Sequence, residues 1–122
     1  MNPQIRFCSS FDGTRIAYSL TGDGPPIVRS PHWLSHVEYE SESPLWGPWI
    51  AHMSRGYTYL RMDERGCGLS DWEGKDISFE AWVRDLEAVI DAAGIQRFAL
   101  FGASQGASVA IVAKTAAPRT AM

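Results

Sequence analysis

The sequence has little of what marks several specialised classes of protein. Its two cysteines, Cys8 and Cys67, are too few for a disulfide scaffold and lack metal-ligand spacing. With 11 basic and 14 acidic residues the net charge is −3, so no basic excess exists to neutralise nucleic-acid phosphates. The longest apolar run, Val109–Ala113, is far shorter than the roughly 18 residues of a membrane span, and no signal peptide is visible. We therefore expect a cytoplasmic protein without a membrane span that does not bind nucleic acid.

The composition is that of an ordinary globular protein. The chain has 122 residues, of which 45% are hydrophobic, and we expect residues 1–122 to form a single domain with a buried core. Acidic residues cluster at positions 38–42 and again between positions 63 and 91. We interpret both clusters as solvated faces of loops and a helix.

The first third of the chain has the pattern of β-strands. Segments Ile5–Cys8 and Arg15–Leu20 alternate in polarity, and the pair Asp12-Gly13 between them is typical of a hairpin turn. A glycine- and proline-rich break then precedes a third short strand, Ile27–Ser30. The sequence therefore predicts an N-terminal β-hairpin.

Strands and helices alternate in the remainder, after an irregular stretch at positions 31–44. The best helix signal combines apolar residues at three- and four-residue spacing with Ser78 as N-cap and Gly94 just past the end. This alternation predicts an α/β fold, with a mostly parallel sheet and helices on both of its faces. The predicted elements are a helix Leu45–Ser54, a strand Tyr57–Met62, a helix Phe79–Ala93, a strand Arg97–Phe101 and a helix Gln105–Ala116.

One motif carries chemistry: Gly102–Gly106 (GASQG) fits the pattern Gly-x-Ser-x-Gly. It follows a predicted strand and opens a predicted helix, which is the context that a nucleophile elbow requires. The sharp turn lifts the hydroxyl of Ser104 clear of the sheet, and the flanking glycines allow strand and helix to approach closely. The helix N-terminus supplies unpaired N–H groups for an oxyanion. We favour Ser104 as a nucleophile over the alternative, a turn of small residues that serves packing alone.

Together with two other segments, this motif resembles the α/β-hydrolase superfamily. Segment Asp63–Asp71 (DERGCGLSD) is similar to the Asp-x-Arg-Gly-x-Gly-x-Ser loop that follows the fourth strand in many of these enzymes, and Gly24–Val28 (GPPIV) is similar to the start of their third strand. Segment Trp33–His36 (WLSH) resembles one found in some hydrolase domains, a few of them joined to regulatory domains. The resemblance implies a partial α/β-hydrolase fold, the half that bears the nucleophile.

The resemblance also implies roles for individual residues. Ser104 would be the acyl-accepting nucleophile, and the backbone N–H groups of Gln105 and Trp33 would form the oxyanion hole. Pro31-His32 stands where the family usually has His-Gly, which is a departure close to Trp33. A serine nucleophile implies hydrolysis of a small-molecule ester through an acyl-enzyme, by a carboxylesterase or lipolytic esterase that needs no metal or organic cofactor.

The family's acid and histidine base follow the nucleophile in the chain, and neither is found here. Three explanations stay open: a fragment of a larger hydrolase, a base recruited locally or from a second copy, and a non-catalytic ligand-binding or sensing module. For local recruitment, His32 is the best candidate base and Asp63 a candidate to orient it. The alternatives are a loop histidine bonded to backbone and an acid that caps its own turn.

The position of the last residues also affects the predicted sheet. A sixth strand is expected to begin only near the last residues, so the strand Arg97–Phe101 is predicted to be an open apolar edge. We therefore expect a homo-oligomer, formed through that edge or by an exchanged element.

Overall fold

A computed structural model of the chain describes residues 4–32, 35–72, 77–102, 106, 109 and 120–121. Its helices and strands agree with the predicted ones to within a residue or two where both are described, and Gly106 and Val109 of the last predicted helix are helical. Within the described part of the chain, no helix is long and apolar enough to cross a bilayer. The elements are β1 (Gln4–Ser9), β2 (Arg15–Gly22), β3 (Pro26–Arg29), a 3₁₀ helix (Tyr39–Glu42), α1 (Trp46–Met53), β4 (Thr58–Met62), α2 (Phe79–Ala92), β5 (Arg97–Phe101) and β6 (Thr120–Ala121).

The strands form one sheet in the order β1-β2-β4-β3-β5-β6. Strands β1 and β2 make an antiparallel hairpin, and β2 is also antiparallel to β4. The remaining pairs, β3 with β4, β3 with β5 and β5 with β6, are parallel. In the hairpin turn, Gly13 has a φ of +86° and the Thr14 N–H donates to Asp12 Oδ1 at 3.1 Å. The predicted mostly parallel sheet with an N-terminal hairpin is confirmed.

Helix α2 covers one face of the sheet because strand residues alternate between faces. The apolar side of α2 packs on every second residue of the strands, and the described members of this core are fully or nearly fully buried. The N-cap of α2 is as predicted, since Ser78 Oγ accepts from the Ala81 N–H at 3.1 Å. Phe79, predicted on the apolar face, is instead 39% exposed, because it lies at the first residue of the helix. The core residues include Ile16, Tyr18, Val28, Leu60, Met62, Val83, Leu86, Val89, Ile90 and Phe98.

The opposite face of the sheet carries α1 and the 3₁₀ helix, so the prediction of helices on both faces is confirmed. Arg29 and Arg61, which alternate with the core residues of β3 and β4, contact Glu40 of the 3₁₀ helix. The stretch 31–44, predicted to be irregular, therefore contains one short helix that packs on the sheet.

The two acidic clusters were expected to be solvated, but in the structure neither cluster is wholly so. In the first cluster Glu38 and Glu42 are exposed, but Glu40 is buried against arginine side chains. In the second cluster Asp63, Glu64 and Asp85 are buried. The interpretation as solvated faces is wrong for these four residues. Clustering in the sequence does not reveal which carboxylates are buried in the fold.

The predicted open edge of the sheet is also partly wrong. The two residues of β6 pair in parallel with Arg97 and Phe98, so the chain covers the first part of β5 itself. The backbone groups of β5 at Arg97 and Phe98 therefore have a neighbouring strand and do not form an open edge.

Candidate functional site

The carboxyl ends of β3 and β5 meet where the serine motif begins. The Ser30 N–H, just after β3, donates to the Phe101 carbonyl at the end of β5 over 2.8 Å. A Cβ added at Gly106 would lie 2.7 Å from the Pro31 carbonyl oxygen, which is closer than real Cβ contacts. Since that neighbour is backbone, only glycine fits at position 106 without a shift. The second glycine of the motif thus lets the chain pass directly against the end of β3.

Three of the predicted site residues, Ser104, Gln105 and Trp33, lie outside the described residues. Some neighbouring residues are described: Gly102 follows β5 directly, Gly106 is helical, and His32 precedes Trp33. A strand therefore ends just before the motif, and the last residue of the motif is helical, as the motif requires.

Asp63, at the end of β4, uses its carboxylate to join two loops. Oδ1 accepts from Ser35 Oγ at 2.7 Å, while Oδ2 accepts from the N–H groups of Val37 at 3.1 Å and Leu69 at 2.9 Å. Gly68 has a φ of +51°, and a Cβ there would lie 2.2 Å from Asp63 Oδ2. The described contacts of Asp63 match the alternative of an acid that caps its own turn, and they do not place its carboxylate on His32.

His32 is 7% exposed and lies beside a different carboxylate. Its Nε2 is 3.8 Å from Oε2 of Glu40, and its ring stacks on Trp46 with a centroid distance of 5.0 Å. Sequence reasoning missed Glu40. The signal that could have found it is the presence of Arg29 and Arg61 within buried strands, because buried charges need a partner of opposite sign.

A second buried cluster lies on the α2 side of the loop after β4. Arg65 donates to both carboxylate oxygens of Asp85 at 2.7 Å and to Asp12 at 2.8 Å, and Ser10 Oγ also donates to Asp85. The hydrogen bonds from Arg65 lower the pKa of Asp12, and those to Asp85 raise the pKa of Arg65. The cluster fixes this loop to α2 and to the N-terminal hairpin.

Glu64, in the same loop, is 2% exposed, and within the described residues its Oε2 has no hydrogen-bond partner. Burial, with the nearby charge of Asp85, raises the pKa of Glu64 to about 7. The carboxyl group of Glu64 therefore changes its charge near neutral pH.

An aromatic surface flanks the serine motif on the α1 side. Trp49 stacks on Phe101, the last residue of β5, with ring centroids 5.7 Å apart. Trp49 is still 43% exposed, and with Pro48 and His52 it lines an open, mostly apolar groove. This surface is suited to apolar parts of a ligand.

Comparison with known proteins agrees with this architecture. Residues 36–113, more than half of the chain, match the α/β-hydrolase fold family. A pyrrolizixenacetamide deacetylase of Xenorhabdus hominickii is 28% identical over 97 residues, and a non-heme haloperoxidase of Rhodococcus erythropolis is 30% identical over 101 residues. These matches cover 80% and 82% of this chain but 35% of each relative, so the chain spans about a third of their length.

Among solved structures, an α/β hydrolase of Sphaerobacter thermophilus is 30% identical, with a TM-score of 0.77. The match covers 94% of this chain and 42% of that one. The match to the family model and the likeness to this solved structure agree on the same fold. The chain belongs to the α/β-hydrolase family.

Proposed function

We propose that this chain carries the nucleophile of a serine hydrolase that cleaves small-molecule carboxylic esters through an acyl-enzyme on Ser104. The observation that supports the proposal best is the position of Gly106, which packs against the Pro31 carbonyl while Gly102 follows β5. The family places its nucleophile at a strand-to-helix turn, and Ser104 lies between these two glycines in the sequence.

The proposed mechanism begins with attack of Ser104 Oγ on the ester carbonyl carbon. The tetrahedral oxyanion accepts hydrogen bonds from the backbone N–H groups of Gln105 and Trp33. Collapse of this intermediate expels the alcohol and leaves an acyl-serine, which water then hydrolyses to release the acid. A base must take the serine proton, and the family supplies it from a histidine later in the chain.

The surroundings of the motif support an ester with an apolar part. The ring of Trp49 and the groove that it lines lie beside Phe101, which precedes Gly102. The relative from Xenorhabdus is named as a deacetylase of an acetamide, so its named reaction removes an acyl group. For this chain we propose ester hydrolysis.

A fluorophosphonate probe tests the proposal, because it reacts covalently only with an activated serine. With the base supplied, by a later part of a longer protein or by a second copy, we expect labelling that disappears in Ser104→Ala and persists in Ser108→Ala, the matched control four residues later. Folded protein that is never labelled would contradict the proposal and favour a ligand-binding or sensing module. Labelling that persists in Ser104→Ala would assign the nucleophile elsewhere.

A further inference from the structure

Two buried arginines on the α1 side of the sheet share one carboxylate oxygen. Arg29 Nη2 in β3 and Arg61 Nη1 in β4 both donate to Oε1 of Glu40, at 2.7 and 3.0 Å. Arg61 Nη2 also donates to the Val37 carbonyl at 3.0 Å. Both arginines are fully buried and Glu40 is 5% exposed. Two buried positive charges are thus paired with one buried negative charge.

Within the described residues, three N–H groups of these arginines have no hydrogen-bond partner. They are Nε and Nη1 of Arg29 and Nε of Arg61, and all three atoms are buried. Burial, together with the neighbouring charge of Arg29, lowers the pKa of Arg61, and Glu40 opposes this effect only in part. Because buried charges and donors are normally paired, an acceptor is needed here beyond Glu40.

The register of the strands brings three hydroxyl groups to the same face. Ser19 of β2 is directly opposite Arg61 of β4, and Thr21 is directly opposite Tyr59. The three hydroxyl-bearing residues are at most 4% exposed, and in the described part of the chain their hydroxyl oxygens have no hydrogen-bond partner. Burial raises the pKa of Tyr59 more than Arg29 and Arg61 lower it, so this hydroxyl keeps its proton. The face therefore carries several buried donors around a surplus positive charge.

The nearby acidic side chains are engaged elsewhere or exposed. The carboxylate of Asp63 accepts its hydrogen bonds from the two loops described above. Glu38 and Glu42, on either side of Glu40, are exposed. His32, beside Glu40, adds no negative charge in either of its protonation states. The acceptor that the arginines need is thus unlike any of these groups.

We propose that the buried donors on this face of the sheet bind a small monovalent anion of the size of chloride. The donors belong to Ser19, Thr21, Arg29, Tyr59 and Arg61. A hydroxyl and a guanidinium N–H can each donate to such an anion. One negative charge offsets the single surplus positive charge, whereas a divalent anion such as sulfate would exceed it. A water molecule would accept hydrogen bonds but leave the buried charge unpaired.

The dependence of stability on chloride tests this proposal in the full chain. Urea unfolding is measured at constant ionic strength while chloride is exchanged for gluconate, which is too large for a buried site. Above the Kd of one bound anion, each tenfold rise in chloride should lower the equilibrium constant of unfolding about tenfold. A stability that is the same in chloride and in gluconate would overturn the proposal.

Variants decide whether the chloride effect comes from this face of the sheet. Ser19→Ala removes one donor and should weaken the affinity for chloride about tenfold. Ser9→Ala, at an exposed serine of β1, is the matched control and should leave the affinity unchanged. Arg61→Gln removes the surplus charge and should abolish the chloride dependence. An equal dependence in the wild type, Ser19→Ala and Ser9→Ala would overturn the site, whether or not Arg61→Gln folds.

Bromide locates the anion in the wild-type protein, since it replaces chloride and scatters anomalously. Crystals of the full chain grown in bromide should show an anomalous peak in contact with the free N–H groups of Arg29 or Arg61. Bromide bound only at the protein surface would overturn the proposal. The result is independent of the proposed function, which the fluorophosphonate probe tests at Ser104.

Discussion

Glu64 should make the stability of this protein depend on pH near neutrality. Its carboxyl group is 2% exposed, and burial with the charge of Asp85 raises its pKa from 4.5 to about 7. Between pH 4.5 and 7, the folded protein therefore keeps a proton on Glu64, whereas the unfolded chain has released it. The contribution of Glu64 to the free energy of unfolding is fully present below pH 4.5 and is lost as the pH rises through 7.

The substitution Glu64→Gln removes this dependence because an amide stays neutral. At about 1.4 kcal/mol for each pH unit, the difference between the two pKa values sets a ceiling of about 3 kcal/mol. Relaxation of the protein around the charged carboxylate makes the expected difference smaller, about 1–2 kcal/mol. The variant should match the wild type near pH 4 and be more stable by that amount near pH 8.

Urea unfolding followed by tryptophan fluorescence measures the difference at both pH values. Glu38→Gln is the matched control, because Glu38 is exposed and its substitution should leave the pH dependence of stability unchanged. Parallel stability profiles for the wild type and Glu64→Gln would refute the reasoning, since they would mean that Glu64 is charged in the folded state at neutral pH.

Four other substitutions test close contacts of glycines and the cap of α2. Gly68→Ala should lower the free energy of unfolding, measured in urea, by about 2–4 kcal/mol, because its Cβ meets the carboxylate of Asp63. Gly66→Ala is the control: it has open space at a φ of +86° and should lower the same free energy by only about 1–2 kcal/mol. Equal losses would show that the Asp63 contact is unimportant. Gly106→Ala should lower the free energy of unfolding in urea by about 1–3 kcal/mol, because its Cβ meets the Pro31 carbonyl. The same variant should react more slowly with a fluorophosphonate. A gain in stability would contradict the close approach at this position. Ser78→Ala should cost about 1 kcal/mol in thermal unfolding through loss of the N-cap, and an unchanged melting temperature would count against it.

Features set by neighbours in the chain could be predicted from the sequence. Strand β5 has the predicted bounds, and α2 differs by one residue, because its apolar spacing and its capping residue Ser78 are local signals. The serine motif was recognisable for the same reason, since the glycines that it needs are two residues to each side. The roles of Ser104, Gln105 and Trp33 stay predictions.

Features that depend on distant partners were not predicted. Glu40 is 11 positions from Arg29 and 21 from Arg61, so its burial depends on where the strands place those side chains. A run of alternating glutamates has the same pattern whether one of them turns inward or not. The pairing of β6 with Arg97 and Phe98 is non-local as well, and two residues are too few to show strand periodicity.

The carboxylate of Asp63 has a consequence for engineering of this protein. It bonds to Ser35 and Val37 in one loop and to Leu69 in another, so the two loops share a single anchor. A loop taken from another hydrolase and grafted at either position would leave part of that anchor without donors in the protein interior. The two loops should therefore be exchanged together, as one transplantable unit, when new substrate preferences are sought.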